Sequence, residues 1–252
     1  MSNSPYIRIS SEDKTAQSAS NSDFQVFLED KNSTQNIQTL TPIQVYCPNI
    51  FYNIRSSYGV VNNVLSFQEN GQAVINVPIA EGQYTSSQLI TAIETAVNAV
   101  ATATVLAITL DPITAKFTFT FTGATAILFF PASSIAEAIG LTQTTADQNI
   151  HVMDEILNLN GITAVYIHSK QINAGGFIDG NHGSIACFTW LSLSETPFGG
   201  VASREISEAS LNTITYQGKK NLSLISIVLR DSEGNKLPIG SQRLTIIFRA
   251  TY

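Results

Sequence analysis

The side chains that could carry chemistry in this chain are few: three histidines (His151, His168 and His182), two cysteines (Cys47 and Cys187) and scattered carboxylates. No two histidines stand at His-x-His or at helical i, i+4 spacing, so the clustered imidazoles of a metal site on a β-fold are missing. His168 falls in a strand-like run and reads as a structural histidine. His182, in Gly180-Asn181-His182-Gly183, reads as a turn residue, and His151 stands near Asp154 and Glu155 as in a surface pair. Asp231-Ser232-Glu233-Gly234-Asn235 begins like a calcium loop. It lacks the further alternate ligands and the closing glutamate, so it reads as a hairpin turn. Glu12-Asp13 and Glu29-Asp30 are adjacent along the chain; adjacency does not set two carboxylates across a substrate, and they read as solvated. Asn32-Ser33-Thr34 and Asn221-Leu222-Ser223 match the glycosylation sequon, but the N-terminus lacks the apolar core of a signal peptide, so the matches read as accidental.

Nucleotide-cradling glycine loops, the metalloprotease helix motif and the Gly-x-Ser-x-Gly elbow are all absent from the sequence. Cys47 and Cys187 lie far apart in apolar surroundings and read as buried free thiols. Trp190, in Cys187-Phe188-Thr189-Trp190-Leu191, reads as core packing rather than a sugar platform. The expectation is therefore no catalytic, cofactor-binding or metal-ligating residue, no cofactor, and no enzyme.

The elements that hold these residues are mostly strands. Phe24, Val26 and Leu28 alternate with Gln25, Phe27 and Glu29; Leu40 to Ile54 is apolar but broken by Pro42 and Pro48, which suggests strand ends or an edge. Val64–Gln68 and Ala73–Val77 flank Asn70-Gly71, a hairpin signal. Thr85 and Gln88 then form a capping-box pattern before Leu89, Ile93, Val97 and Val100, predicting a helix over about 86–100. Strands at 105–110, 116–122 (Phe117-Thr118-Phe119-Thr120-Phe121-Thr122) and 126–130 follow, then a short helix over 133–138 ending at Gly140. The β pattern resumes at 162–168, 185–193, 211–216, 224–230 and 244–250. This order predicts a mainly β chain: a single jelly-roll β-sandwich over 23–78 plus 143–252, an inserted small α+β subdomain over 79–142, and a flexible Ser-rich N-terminal arm over 1–22.

Composition narrows the function classes. The chain has 252 residues with 13 basic and 19 acidic side chains, a net charge of −6, and only 13% charged residues against a usual ~25%. An acidic chain with no Lys/Arg block argues against specific nucleic-acid binding, and no run of eighteen apolar residues could form a membrane span. So thin a cover of charge suits a surface of hydroxyls and amides, or one covered by partner subunits.

Three stretches carry a family likeness: Phe24-Gln25-Val26-Phe27-Leu28 with Pro48-Asn49-Ile50-Phe51-Tyr52-Asn53-Ile54; Val77 to Thr85 with the helix after it, the Phe117–Phe121 strand and Ile139-Gly140-Leu141; and Ile225 to Asp231 with Gly234-Asn235-Lys236-Leu237-Pro238 and the closing strand. In these the chain resembles the penton, or minor capsid, proteins of virophages and Polinton-type double-stranded DNA viruses. The resemblance implies a jelly roll in a homopentamer that plugs the vertex of an icosahedral virion, touching the surrounding major capsid protein, with 79–142 as an upper or lateral subdomain. The chain is too short for the two jelly rolls of a major capsid protein. A receptor- or carbohydrate-binding spike head is the alternative that the residues leave open.

Overall fold

A computed structural model describes residues 6–28, 35–57, 61–102, 104–123, 127–130, 132–146, 148–172, 187–205 and 213–252. The chain forms two compact units, Met1–Phe51 with Ile162–Tyr252, and Tyr52–Gly161.

The first unit is built from β1 (Tyr6–Ser10), β2 (Asp23–Phe27), β3 (Ile37–Pro48) and, after the second unit, β10 (Ala164–His168), β11 (Cys187–Ser192), β12 (Val201–Glu205), β13 (Ile214–Lys220), β14 (Leu224–Arg230) and β15 (Thr245–Thr251). One sheet runs β1-β15-β3-β12, with β13 also on β3; the other runs β11-β10-β14-β2, and every pair is antiparallel. Apart from β10 and β11, the strands that pair in these sheets are not neighbours in sequence, the crossed connections of a jelly roll. Alternation puts Phe24, Val165, Ile225 and Ile227 of one sheet, and Ile9, Val45, Ile246 and Phe248 of the other, into the core. Phe188 and Phe248 meet across it with ring centroids 5.7 Å apart.

Two expectations change here. Residues 6–22 are not a loose arm. Ile7 and Ile9 are buried and β1 pairs along its whole length with β15, from Tyr6 opposite Arg249 to Ser10 opposite Thr245. Beyond it, the Thr15 amide donates to the Gln25 carbonyl (2.8 Å) and the Gln25 amide to Ser18 Oγ (2.9 Å), so this polar stretch closes the free edge of β2. The second change concerns Pro42, which lies inside a central strand. β13 pairs only as far as Leu40 and β12 starts at Gln44, while the pairing with β15 shifts between Ile247 and Phe248. A residue with no amide hydrogen fits at such an irregularity without breaking the ladder.

The second unit contains β4 (Val64–Glu69), β5 (Ile75–Pro78), α1 (Ser86–Val100), β6 (Val105–Leu110), β7 (Phe117–Thr122), β8 (Ile127–Phe129), α2 (Ala136–Ile139) and β9 (Ile150–Val152). They make two three-stranded sheets, β5-β4-β8 and β6-β7-β9. These ladders take the β4–β5 hairpin and β9 into the unit, so its limits are wider than the 79–142 expected. Asn70 and Gly71 both have positive φ (47° and 70°), the central residues of a tight turn in which the Gln72 amide donates to the Glu69 carbonyl (2.8 Å) and which opens the connection from β4 to β5. Thr85 and Gln88 cap α1 reciprocally. Leu89, Ile93 and Val97 then pack on a cluster that holds Phe67, Phe117, Phe119, Phe121 and Phe129. Gly140 closes α2 at φ 77°; a Cβ there would meet the Glu155 carbonyl oxygen at 2.2 Å.

Candidate functional site

The structure disperses the residues that the sequence singles out. His168 is buried at the end of β10, in the first unit, and His151 lies in β9, in the second. His182 lies outside the described residues, as do Glu29-Asp30 and the Asn32 sequon. His151 is not at the surface beside Asp154 and Glu155. It is 1% exposed, its Nε2 donates to the Gln148 carbonyl at 2.7 Å, and its ring stands edge-on to Phe129 with centroids 5.1 Å apart. The reason is strand alternation: with His151 inward, Ile150 and Val152 point outward.

The carboxylates serve backbone groups. Asp231 accepts from the amides of Glu233 (2.9 Å) and Asn235 (2.8 Å), closing the turn between β14 and the segment after it. Asp154 accepts from the Thr142 amide and hydroxyl, and those bonds hold its carboxyl below the ordinary value of 3.8. Asp111 is lowered by the amides of Ile113 and Thr114, and Glu81 by Ser56 and Ser57. Glu69, nearly buried, accepts from Thr102 and Thr104. Glu12 and Asp13 join Arg8 and Arg243 in exposed ion pairs of 3.0–4.0 Å. Asn221, of the second sequon, holds the Asn36 amide at 2.9 Å.

Cys47 and Cys187 are buried and neither is in a disulfide, and burial pushes the Cys47 thiol up to about 12, far from a reactive thiolate. Trp190 is not a core residue. It is 39% exposed, on the opposite side of β11 from Leu191. The Arg204 guanidinium lies 4.8 Å from its ring centroid and donates to its carbonyl, so a cation already occupies an indole face. A groove of about 670 Å³ runs between α1 and residues 78–84, lined by Pro78, Tyr84, Gln88, Ala92 and Ala96 among others, with no charged side chain. Among the described residues no group of three or more His, Cys, Asp or Glu could hold a metal ion, and no helix is long and apolar enough to cross a membrane.

What the structure does organise is charge. Tyr52–Gly161 has two basic residues, Arg55 and Lys116, against eight acidic ones, a net −6. The jelly-roll unit has eleven of each and is neutral. The whole excess of the chain thus sits in one unit, which no local motif reveals and which becomes countable only once the unit boundaries are known.

No protein-family model matches the chain, and no curated protein matches it. Among solved structures, the crystal structure of selenomethionine-labelled penton protein from mavirus is similar, with a TM-score of 0.50 and 10% sequence identity. The match covers 98% of this chain and 100% of that one. At that identity the likeness is one of fold, and it agrees with the mainly β, jelly-roll class read from the strand pattern.

Proposed function

We propose that this chain is a structural capsid subunit, a penton-type minor capsid protein whose five copies close a vertex of an icosahedral shell. The observation that carries the proposal is the similarity of fold over nearly the full chain to a viral penton protein. A closed ring needs a heterologous contact, one patch against a different patch of the next copy, and sparse charge makes such patches less costly to desolvate. The neighbours of the ring are the major capsid proteins around the vertex, and the protein resides in the virion. Native mass spectrometry of the purified protein, with electron cryo-microscopy of particles, tests this. Pentamers and five-fold density at the vertices are expected; a chain that stays monomeric at high concentration and is missing from particles overturns it.

A further inference from the structure

The sheet β6-β7-β9 of the second unit has one face on the phenylalanine core and one face in solvent. The register sets Val105 opposite Thr122, Ala107 and Ile150 on either side of Thr120, and Thr109 and Val152 on either side of Thr118. None of these eight outward side chains is ionisable. Val105, Ile150 and Val152 are 59%, 57% and 62% exposed. In β9 the usual preference is reversed, since the imidazole is in the core and the isoleucine and valine are in water. Burial within the unit does not favour that arrangement; a partner surface on the outer face does.

The partner does not add as a strand at β6. There α1 covers the edge: Asn98 accepts from the Leu106 amide (2.7 Å) and donates to the Leu106 carbonyl (3.1 Å), and Glu94 accepts from the Ile108 amide (2.7 Å). The face itself is small, about 250 Å² from strand spacing and rise, against ~800 Å² per partner in a stable pairwise complex. It therefore serves a contact reinforced by others, as in a ring. Charge then selects the occupant: two copies of this −6 unit repel each other, whereas the neutral jelly-roll unit does not repel it.

We infer that the outer face of β6-β7-β9 is covered, in the assembled oligomer, by the jelly-roll unit of the neighbouring copy. The inference rests on the proposed ring and names one of its contacts. The test places a photo-crosslinking amino acid at Val105 and separately makes Ile150→Lys and Val152→Lys, with Ile150→Thr and Val152→Thr as neutral β-branched controls. Circular dichroism and thermal melting establish that each variant is folded. Expected are crosslinks, in mixed isotope-labelled and unlabelled protein, from residue 105 to peptides of 1–51 or 162–252 of another copy. The lysine variants are expected to weaken assembly at least about tenfold, which corresponds to ~1.4 kcal/mol, and the threonine variants to leave it intact. Crosslinks only to peptides of 52–161, or lysine variants that assemble normally, overturn the inference while leaving the pentamer standing. Intact pentamers that fail to enter particles also overturn it, assigning the face to a different protein. A wild-type chain that never assembles removes the ring and this contact together.

Discussion

Phe119 and Phe129 meet edge to face with centroids 5.1 Å apart, and His151 closes on Phe129 at the same distance. This aromatic knot fills the second unit where the capsid reading needs a rigid body, because a flat outer face is only as well placed as the side chains behind it. Phe129→Ala should cost about 3–5 kcal/mol, the range for a buried phenylalanine that leaves a cavity, measured by chemical denaturation. Its titratable residues act on the same unit. Asp154, Asp111 and Glu81 are held below their ordinary values of 3.8, 3.8 and 4.5 by hydrogen bonds present only in the folded chain. A carboxylate lowered by folding lends stability that is fully present above its ordinary value and is lost as pH falls through the lowered one. The melting temperature should therefore drop below about pH 4. Asp154→Asn should flatten that drop in a pH series of thermal melts; an unchanged slope would remove Asp154 from the account.

At the scale of elements, α1 does more than cover a core. Its capping box starts it, Leu89, Ile93 and Val97 anchor it, and Glu94 and Asn98, one turn apart, finish the edge of β6. In the jelly roll the stretch around Thr15 and Ser18 does the same for β2. Both devices cover strand edges that would otherwise be open to pairing with another chain. Glu94→Ala with Asn98→Ala should cost about 1 kcal/mol for each lost set of bonds and raise light scattering on storage. Thr95→Ala, on the exposed side of the same helix, should stay within about 0.5 kcal/mol. Equal aggregation of both variants would mean that the edge is protected by something else.

For the whole molecule the governing fact is that −6 resides in one unit and none in the other. Like charge brought together in a ring is relieved by salt, whose screening length falls from ~30 Å at 0.01 M to ~8 Å at 0.15 M. Sedimentation across that range should show oligomers strengthening as salt rises. Oligomers that weaken steadily instead would mean that ion pairs between copies hold them, and the charge account would fail.

Local periodicity by itself determined much of this protein: α1 and its cap, the Phe-Thr alternation of β7, the Asn70-Gly71 turn and the mainly β class. These depend on residues a few positions apart, where side-chain spacing and turn chemistry act directly. Only the tertiary structure decided the rest. Tyr6 pairs with Arg249 from the opposite end of the chain, which makes a polar N-terminus the first strand of the jelly roll. β12 is a strand because β3 is beside it, not because Val201-Ala202-Ser203-Arg204-Glu205 alternates strongly. In β9 the register with β7 sets Ile150 and Val152 outward and His151 inward, and nothing local decides it. Partner choice between distant strands leaves little mark on local sequence, and that choice fixed both the unit boundaries and the uncharged face proposed to meet the neighbouring copy.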